Sequence, residues 1–199
     1  MKKIAVTSKS FSKNEYLCKQ LLKLYPNTKF NEAQITFNND SLIAFLSGVD
    51  CAIIGLEQIN EYVLRALPRL KVISKYGVGI DALDIRAMKR HGVSLGWTPG
   101  VNKRSVSELV IAQMVNALRF LPESNQDIKT GKWEIRKSHQ LSTRVVGIIG
   151  LGHVGQDLAS LLSVFGCRIV AHDIANRNKV AARENIELMS LEKLLSEAD

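Results

Sequence analysis

"VVGIIGLGHVGQDLA", Val145–Ala159, is the stretch that decides how this chain folds. A short apolar run leads into G-x-G-x-x-G at Gly150, Gly152 and Gly155, and helix-forming residues follow. The glycine pattern alone is weak, because it also matches turns that bind nothing. Its surroundings strengthen it. "RVVGII" has the composition of a buried strand, Gly150 stands at its carboxyl end, and "HVGQDLASLLSVFG" reads as a helix closed by Gly166. A second strand, "CRIVAHD", ends at Asp173, 18 residues beyond Gly155. Strand, glycine turn, helix, strand and acid thus follow the order of the βαβ dinucleotide fingerprint.

Each part has a physical task in that reading. Gly150 permits the tight turn, and Gly152, without a Cβ, lets a pyrophosphate approach the backbone. Gly155 lets the helix lie close to the strand. The N–H groups of His153 and Val154, helped by the helix dipole, attract the diphosphate. Asp173 accepts hydrogen bonds from the adenosine ribose and repels a 2′-phosphate, so NAD is expected rather than NADP. Arg177, close by, tempers that preference. His153 contributes its backbone here, not its imidazole. The competing reading is a plain strand-turn-helix with no ligand.

Outward from this motif, the first hundred residues alternate strand-like and helical runs. "KKIAVTS", "TKFNEA", "CAIIGL", "KVISKY" and "GVSLGW" read as strands. Helical patterns occupy Asn14–Leu24, Asp40–Leu46, Glu61–Leu67 and Ile85–Arg90, with Asp84 capping the last and Gly92 stopping it. The alternation predicts a flavodoxin-like, parallel, doubly wound α/β sheet of about five strands. "GWTPGVN" sets the domain boundary, giving a first domain over 1–99 and a second over 100–199. After it, Ser105 and Glu108 form an S-x-x-E capping box. A helix with an apolar stripe at Leu109, Val110, Met114, Val115 and Leu118 then runs until Pro122 stops it and packs between the domains. A polar helix, "ESNQDIKTGKW", comes next.

Composition narrows the class. Hydrophobic residues make up 46% and charged residues 23%, as in soluble globular proteins. The apolar run near the start, Ile4 to Val6, is too short for a signal peptide, and no run approaches the roughly 20 residues that span a bilayer. A cytoplasmic protein without a membrane partner is expected. Cys18, Cys51 and Cys167 show no metal or disulfide spacing, and Cys51 and Cys167 read as buried thiols. The net charge of +8 is scattered, with no basic helix, so no nucleic-acid partner is expected. The charge reads first as a solvated basic surface, with a slight lean toward an anionic substrate.

Four stretches, "LKVISKYGVGIDALDIRAMKRHGV", "TPGVNKRSVSELVIAQMVNALR", "TGKW" and "VVGIIGLGHVGQDLASLLSVFGCRIVAHD", lie in order across about Leu70–Asp173. Together they resemble the D-isomer-specific 2-hydroxyacid dehydrogenases, most closely the phosphoglycerate dehydrogenase branch. The resemblance implies a substrate domain, then the first half of a Rossmann NAD-binding domain. It implies hydride transfer between NAD and the 2-carbon of a small anionic hydroxy acid, with 3-phosphoglycerate one option. By the same resemblance, the loop of Lys75, Tyr76, Gly77, Val78 and Gly79 holds the substrate carboxylate, and Val78 also neighbours the nicotinamide. Glycines flanking Val78 let amides converge on an anion. A plain strand-to-helix turn is the alternative for that loop.

The resemblance places the catalytic arginine, glutamate and histidine later than Asp199, so none is expected here, and no metal is expected. Only 49 residues follow Gly150, enough for one mononucleotide half. The expectation is a truncated dehydrogenase, with a non-catalytic NAD(H)-binding module or a decayed remnant as alternatives. A homodimer through the nucleotide domain is implied by the resemblance alone.

Overall fold

The computed structural model describes residues 2–199. They form two compact units, divided between Pro99 and Gly100. In the first unit β1 (Ile4–Val6), α1 (Lys9–Lys13), α2 (Glu15–Leu24), β2 (Lys29–Phe30), α3 (Asn39–Leu46) and β3 (Cys51–Ile54) come first. Then follow α4 (Glu61–Ala66), β4 (Val72–Lys75), α5 (Ile85–Arg90) and β5 (Ser94–Gly96). All neighbouring strands are parallel, in the order β2-β1-β3-β4-β5. That is the flavodoxin-like order expected from the alternation.

The short strands are aliphatic because both faces of a parallel sheet are covered. Ala5, Ile54 and Ile73 are fully buried in one cluster with Leu42, Leu46, Val63, Leu64 and Met88 from the helices. Side-chain caps set the helix starts. Asn14 accepts the Leu17 N–H, Asn60 that of Val63, and Asp84 that of Ala87. Gly92, at φ +66°, follows the end of α5. α1 is an element that the sequence reading passed over. Ser8 caps it by accepting the Phe11 N–H. Cys51 is half-buried, whereas Cys167 is buried as expected.

The second unit contains α6 (Lys103–Arg119), α7 (Leu121–Lys129), β6 (Val145–Ile149), α8 (His153–Leu162), β7 (Arg168–His172), α9 (Asn178–Glu184), β8 (Glu187–Leu188) and α10 (Leu191–Glu197). Its three strands are parallel, in the order β6-β7-β8. Val110, Ile111, Met114, Val115 and Leu118 of α6 pack onto this unit's core of Val146, Ile148, Leu158, Leu162 and Ile169.

Three expectations about α6 need correcting. It begins at Lys103, two residues ahead of Ser105, and Asn102 at its start makes no side-chain cap. A turn starts it: Gly100 at φ +71° places its carbonyl to accept the Lys103 N–H at 3.1 Å. Ser105 therefore lies inside the helix and caps nothing. At the other end the chain stops at Phe120, which takes the left-handed conformation at φ 52°. Pro122 sits in the first turn of α7, where a missing N–H costs nothing. The stripe is also shifted by one side: Leu109 is 59% exposed, while Ile111 packs inward.

Among the described residues no helix is long and apolar enough to cross a membrane. None of their His, Cys, Asp and Glu side chains gather in a group of three or more that could hold a metal.

Candidate functional site

The turn after β6 gives its three glycines three different reasons to exist. Gly150 has φ +96°, a conformation that disfavours any side chain. A Cβ on Gly155 would lie 2.1 Å from the Gly150 carbonyl oxygen, so the first turn of α8 rests directly on the bend. A Cβ on Gly152 would meet nothing within 4 Å. That position is open space. Between them Leu151 is fully buried and pins the bend to the core. The sequence reading gave Leu151 no task, although an apolar residue between two glycines was the available signal.

α8 starts immediately, with Gly152 at its N-cap and no side chain bonded to its end. The first helical bond is Gln156 N–H to the Gly152 carbonyl, at 3.0 Å. The amides of His153, Val154 and Gly155 precede it and lack intrahelical partners. A ten-residue helix thus presents donors and the positive end of its dipole next to an open glycine. This geometry fits a diphosphate. The His153 side chain lies against the chain at Gly100: a Cβ there would come 2.6 Å from the imidazole Cγ.

Asp173, just past β7, is more committed than the sequence suggests. Its Oδ2 accepts the Leu151 N–H at 2.7 Å and the Arg177 Nε–H at 3.1 Å. Its Oδ1 accepts the Ala175 N–H at 2.7 Å. The Ala175 amide, against burial, and then Arg177 and Leu151 hold the carboxyl below the usual carboxylate range. Next to it His172 places Nδ1 3.1 Å from the Met189 carbonyl oxygen, a contact across the sheet rather than toward the turn.

An ion pair between a buried carboxylate and a largely exposed arginine supports α8. Asp157, with 5% of its side chain exposed, bonds Arg104 of α6 at 3.0 Å. Burial raises the Asp157 carboxyl, but hydrogen bonds from Arg104 and Ser107 outweigh it and hold it low. Ser107, fully buried, lies where its hydroxyl also reaches the Val154 carbonyl at 3.4 Å. Nothing in the spacing of Arg104 and Asp157 announces this pair, because only the packing of two helices creates it.

In the first unit the loop of Lys75, Tyr76, Gly77, Val78 and Gly79 follows β4. The Tyr76 N–H is already donated to the Ile54 carbonyl at 2.8 Å, so it completes the sheet. The amides of Gly77, Val78 and Gly79 follow, and Gly77 at φ +124° bends the chain there. The Lys75 ammonium donates to the Gly55 carbonyl. Phe11 meets the Tyr76 ring edge-on, with centroids 5.2 Å apart, and Trp97 Nε1 donates to the Val78 carbonyl at 3.0 Å. Asp81 is close: a Cβ on Gly79 would lie 3.5 Å from its carboxylate. Gly55, Phe11 and Trp97 come from distant segments, which is why the sequence did not assign them to this loop.

A histidine–carboxylate contact also occurs in this unit. Glu61 bonds His91 Nε2 at 2.7 Å and the Arg90 guanidinium, which ties the start of α4 to the end of α5.

Two parallel α/β units, the second with its uncapped helix behind a glycine bend, define a doubly wound α/β protein. The chain belongs to the D-isomer specific 2-hydroxyacid dehydrogenase family: the model described as "D-isomer specific 2-hydroxyacid dehydrogenase, catalytic domain" matches residues 4–197. It is 29% identical over 192 residues to the hydroxypyruvate reductase of Thermotoga maritima, covering 94% of this chain and 61% of that protein. It is 32% identical over 166 residues to the D-3-phosphoglycerate dehydrogenase of Mycobacterium bovis, covering 81% of this chain and 31% of that protein. The chain therefore spans less than two thirds of these relatives. A D-isomer specific 2-hydroxyacid dehydrogenase from Polaromonas superposes with TM-score 0.85 at 22% identity, covering 100% of this chain and 63% of that one. The D-lactate dehydrogenase of Aquifex aeolicus, solved with NAD and lactic acid, gives 0.80 at 20% identity over 98% of this chain and 58% of its own. These two likenesses concern the fold.

Proposed function

We propose that this chain carries two working surfaces of an NAD-dependent oxidoreductase acting on a small anionic 2-hydroxy acid. In this reading residues 100–199 bind the adenosine and diphosphate half of NAD, and residues 1–99 hold the substrate carboxylate. The bound nicotinamide would supply the hydride acceptor or donor. The observation that carries the reading is the uncapped start of α8 beside the open Gly152, with Asp173 at the end of the neighbouring strand.

The residues divide the work by their chemistry. Amides of His153, Val154 and Gly155 neutralise the diphosphate, and Gly152 makes room for it. Gly150 and Gly155 keep the bend tight. Asp173 offers its remaining acceptor capacity to the ribose. In the other unit Gly77, Val78 and Gly79 point amides at a carboxylate, and Lys75 adds positive charge without leaving the Gly55 carbonyl. The remainder of the hydroxy acid is open: 3-phosphoglycerate belongs to the class, and so does glycerate, the reduced form of hydroxypyruvate. This reading assigns proton transfer to neither His91, which Glu61 holds at 2.7 Å, nor His172, which lies against the Met189 carbonyl.

The test is a fluorescence titration with NADH of the wild type and Gly152→Val. The wild type should bind saturably. The variant should bind at least about tenfold more weakly, a difference of about 1.4 kcal/mol, with an unchanged unfolding midpoint because the Cβ position is empty. Equal affinities in the two proteins would remove the proposed cradle.

A further inference from the structure

The Asp173–Arg177 pair changes what the ribose end of this site can distinguish. A free carboxylate has about four acceptor positions and a full negative charge. Here Leu151, Ala175 and Arg177 fill three of those positions. One position on Oδ1 remains. Two ribose hydroxyls cannot both donate to it unless Arg177 moves away. The charge is also offset, since the guanidinium lies 3.1 Å from Oδ2. The repulsion that would reject a 2′-phosphate is therefore largely cancelled before any ligand arrives.

Arg177 is suited to a second task. Among the described residues it is bonded only through Nε, which leaves both terminal nitrogens of a side chain that is 33% exposed. Arginine grips phosphate oxygens through two parallel N–H bonds, and this geometry favours it over lysine. Its partner is 8% exposed and anchored by two backbone amides, so Asp173 stays in place when Arg177 swings. The next helix begins at Asn178, so Arg177 stands at the mouth of the β7–α9 loop.

We infer that Arg177 is a specificity-determining residue that admits the 2′-phosphorylated dinucleotide, so that this site takes NAD(H) and NADP(H) with comparable affinity. The inference rests on the reading of the second unit as a dinucleotide site. It concerns binding at the ribose and needs no turnover.

Calorimetric titration with NADH and NADPH tests it, using the wild type, Arg177→Gln and Arg177→Lys. In the wild type the two dissociation constants should lie within about tenfold of each other. Arg177→Gln should weaken NADPH by about tenfold and leave NADH unchanged or tighter, because an Oδ2 acceptor position is released. Arg177→Lys should fall between them. Wild-type NADPH binding should also weaken more steeply with added salt than NADH binding, and the glutamine variant should lose that difference. If Arg177→Gln fails to fold, the lysine variant and the wild-type salt series decide. A wild-type preference for NADH above about a hundredfold, or equal losses for both nucleotides in the variants, overturns the inference and leaves the dinucleotide site standing. No binding of either nucleotide removes both.

Discussion

The two units solve the same local problem in opposite ways. Each has a glycine-bearing turn at the carboxyl end of a parallel strand. After β6 the helix begins at once, and no side chain satisfies its first amides. After β4 the helix begins only at Ile85, and Asp84 takes up the Ala87 amide at 2.8 Å. The first arrangement exposes a helix end. The second spends that end on its own cap and leaves an anion only the amides of the loop. The difference separates a turn that leaves its helix end uncapped from one whose helix end is already filled by its own side chain.

The comparison can be broken most sharply at Gly155. Alanine there would push a Cβ to 2.1 Å from a backbone oxygen that cannot rotate away. Gly155→Ala should destabilise the chain by on the order of 3 kcal/mol or more, measured by urea unfolding. A loss well under 1 kcal/mol would mean that α8 does not rest on the bend. Asp84→Ala probes the contrasting turn. It should cost about 1 kcal/mol, the usual value of an N-cap, in the same unfolding measurement. No loss would show that the cap is not what sets the start of α5.

The smallest effect is a pH dependence. The Asp173 carboxyl is held low in the folded chain, so its contribution is complete above the ordinary carboxylate range and is lost as pH falls through the lowered value. The unfolding midpoints of the wild type and Asp173→Asn should differ most near neutral pH and converge on acidification. Other depressed carboxyls, such as Asp50 and Glu187, are shared by both proteins and cancel in the difference. A gap that widens at low pH would contradict the bonding seen around Asp173.

What was legible in the sequence was local. Alternating aliphatic runs and glycines marked the five-strand order, and Asp84 and Gly92 bracketed α5 because caps act within one helical turn. The glycine spacing marked the bend for the same reason. What was not legible depends on contacts between distant segments. Lys75 reaches the Gly55 carbonyl, Arg104 meets Asp157, and Phe11 braces Tyr76 only after the sheet and helices assemble. The misplaced start of α6 has another cause. Ser105 and Glu108 satisfy a capping pattern, but the turn at Gly100 nucleates the helix first, and a cap motif inside a helix has no free end to serve.

The bond between the Leu151 amide and Asp173 spans 22 residues and joins the bend to the carboxyl end of the neighbouring parallel strand. The bend is consequently shaped by its own glycines and held by sheet assembly. A peptide copying only Val145–Ala159 would lack the carboxylate that holds Leu151, and with it the preorganised shape. Nucleotide affinity in this chain would then report on whether β6 and β7 have paired in register, which makes a small ligand a gauge of folding.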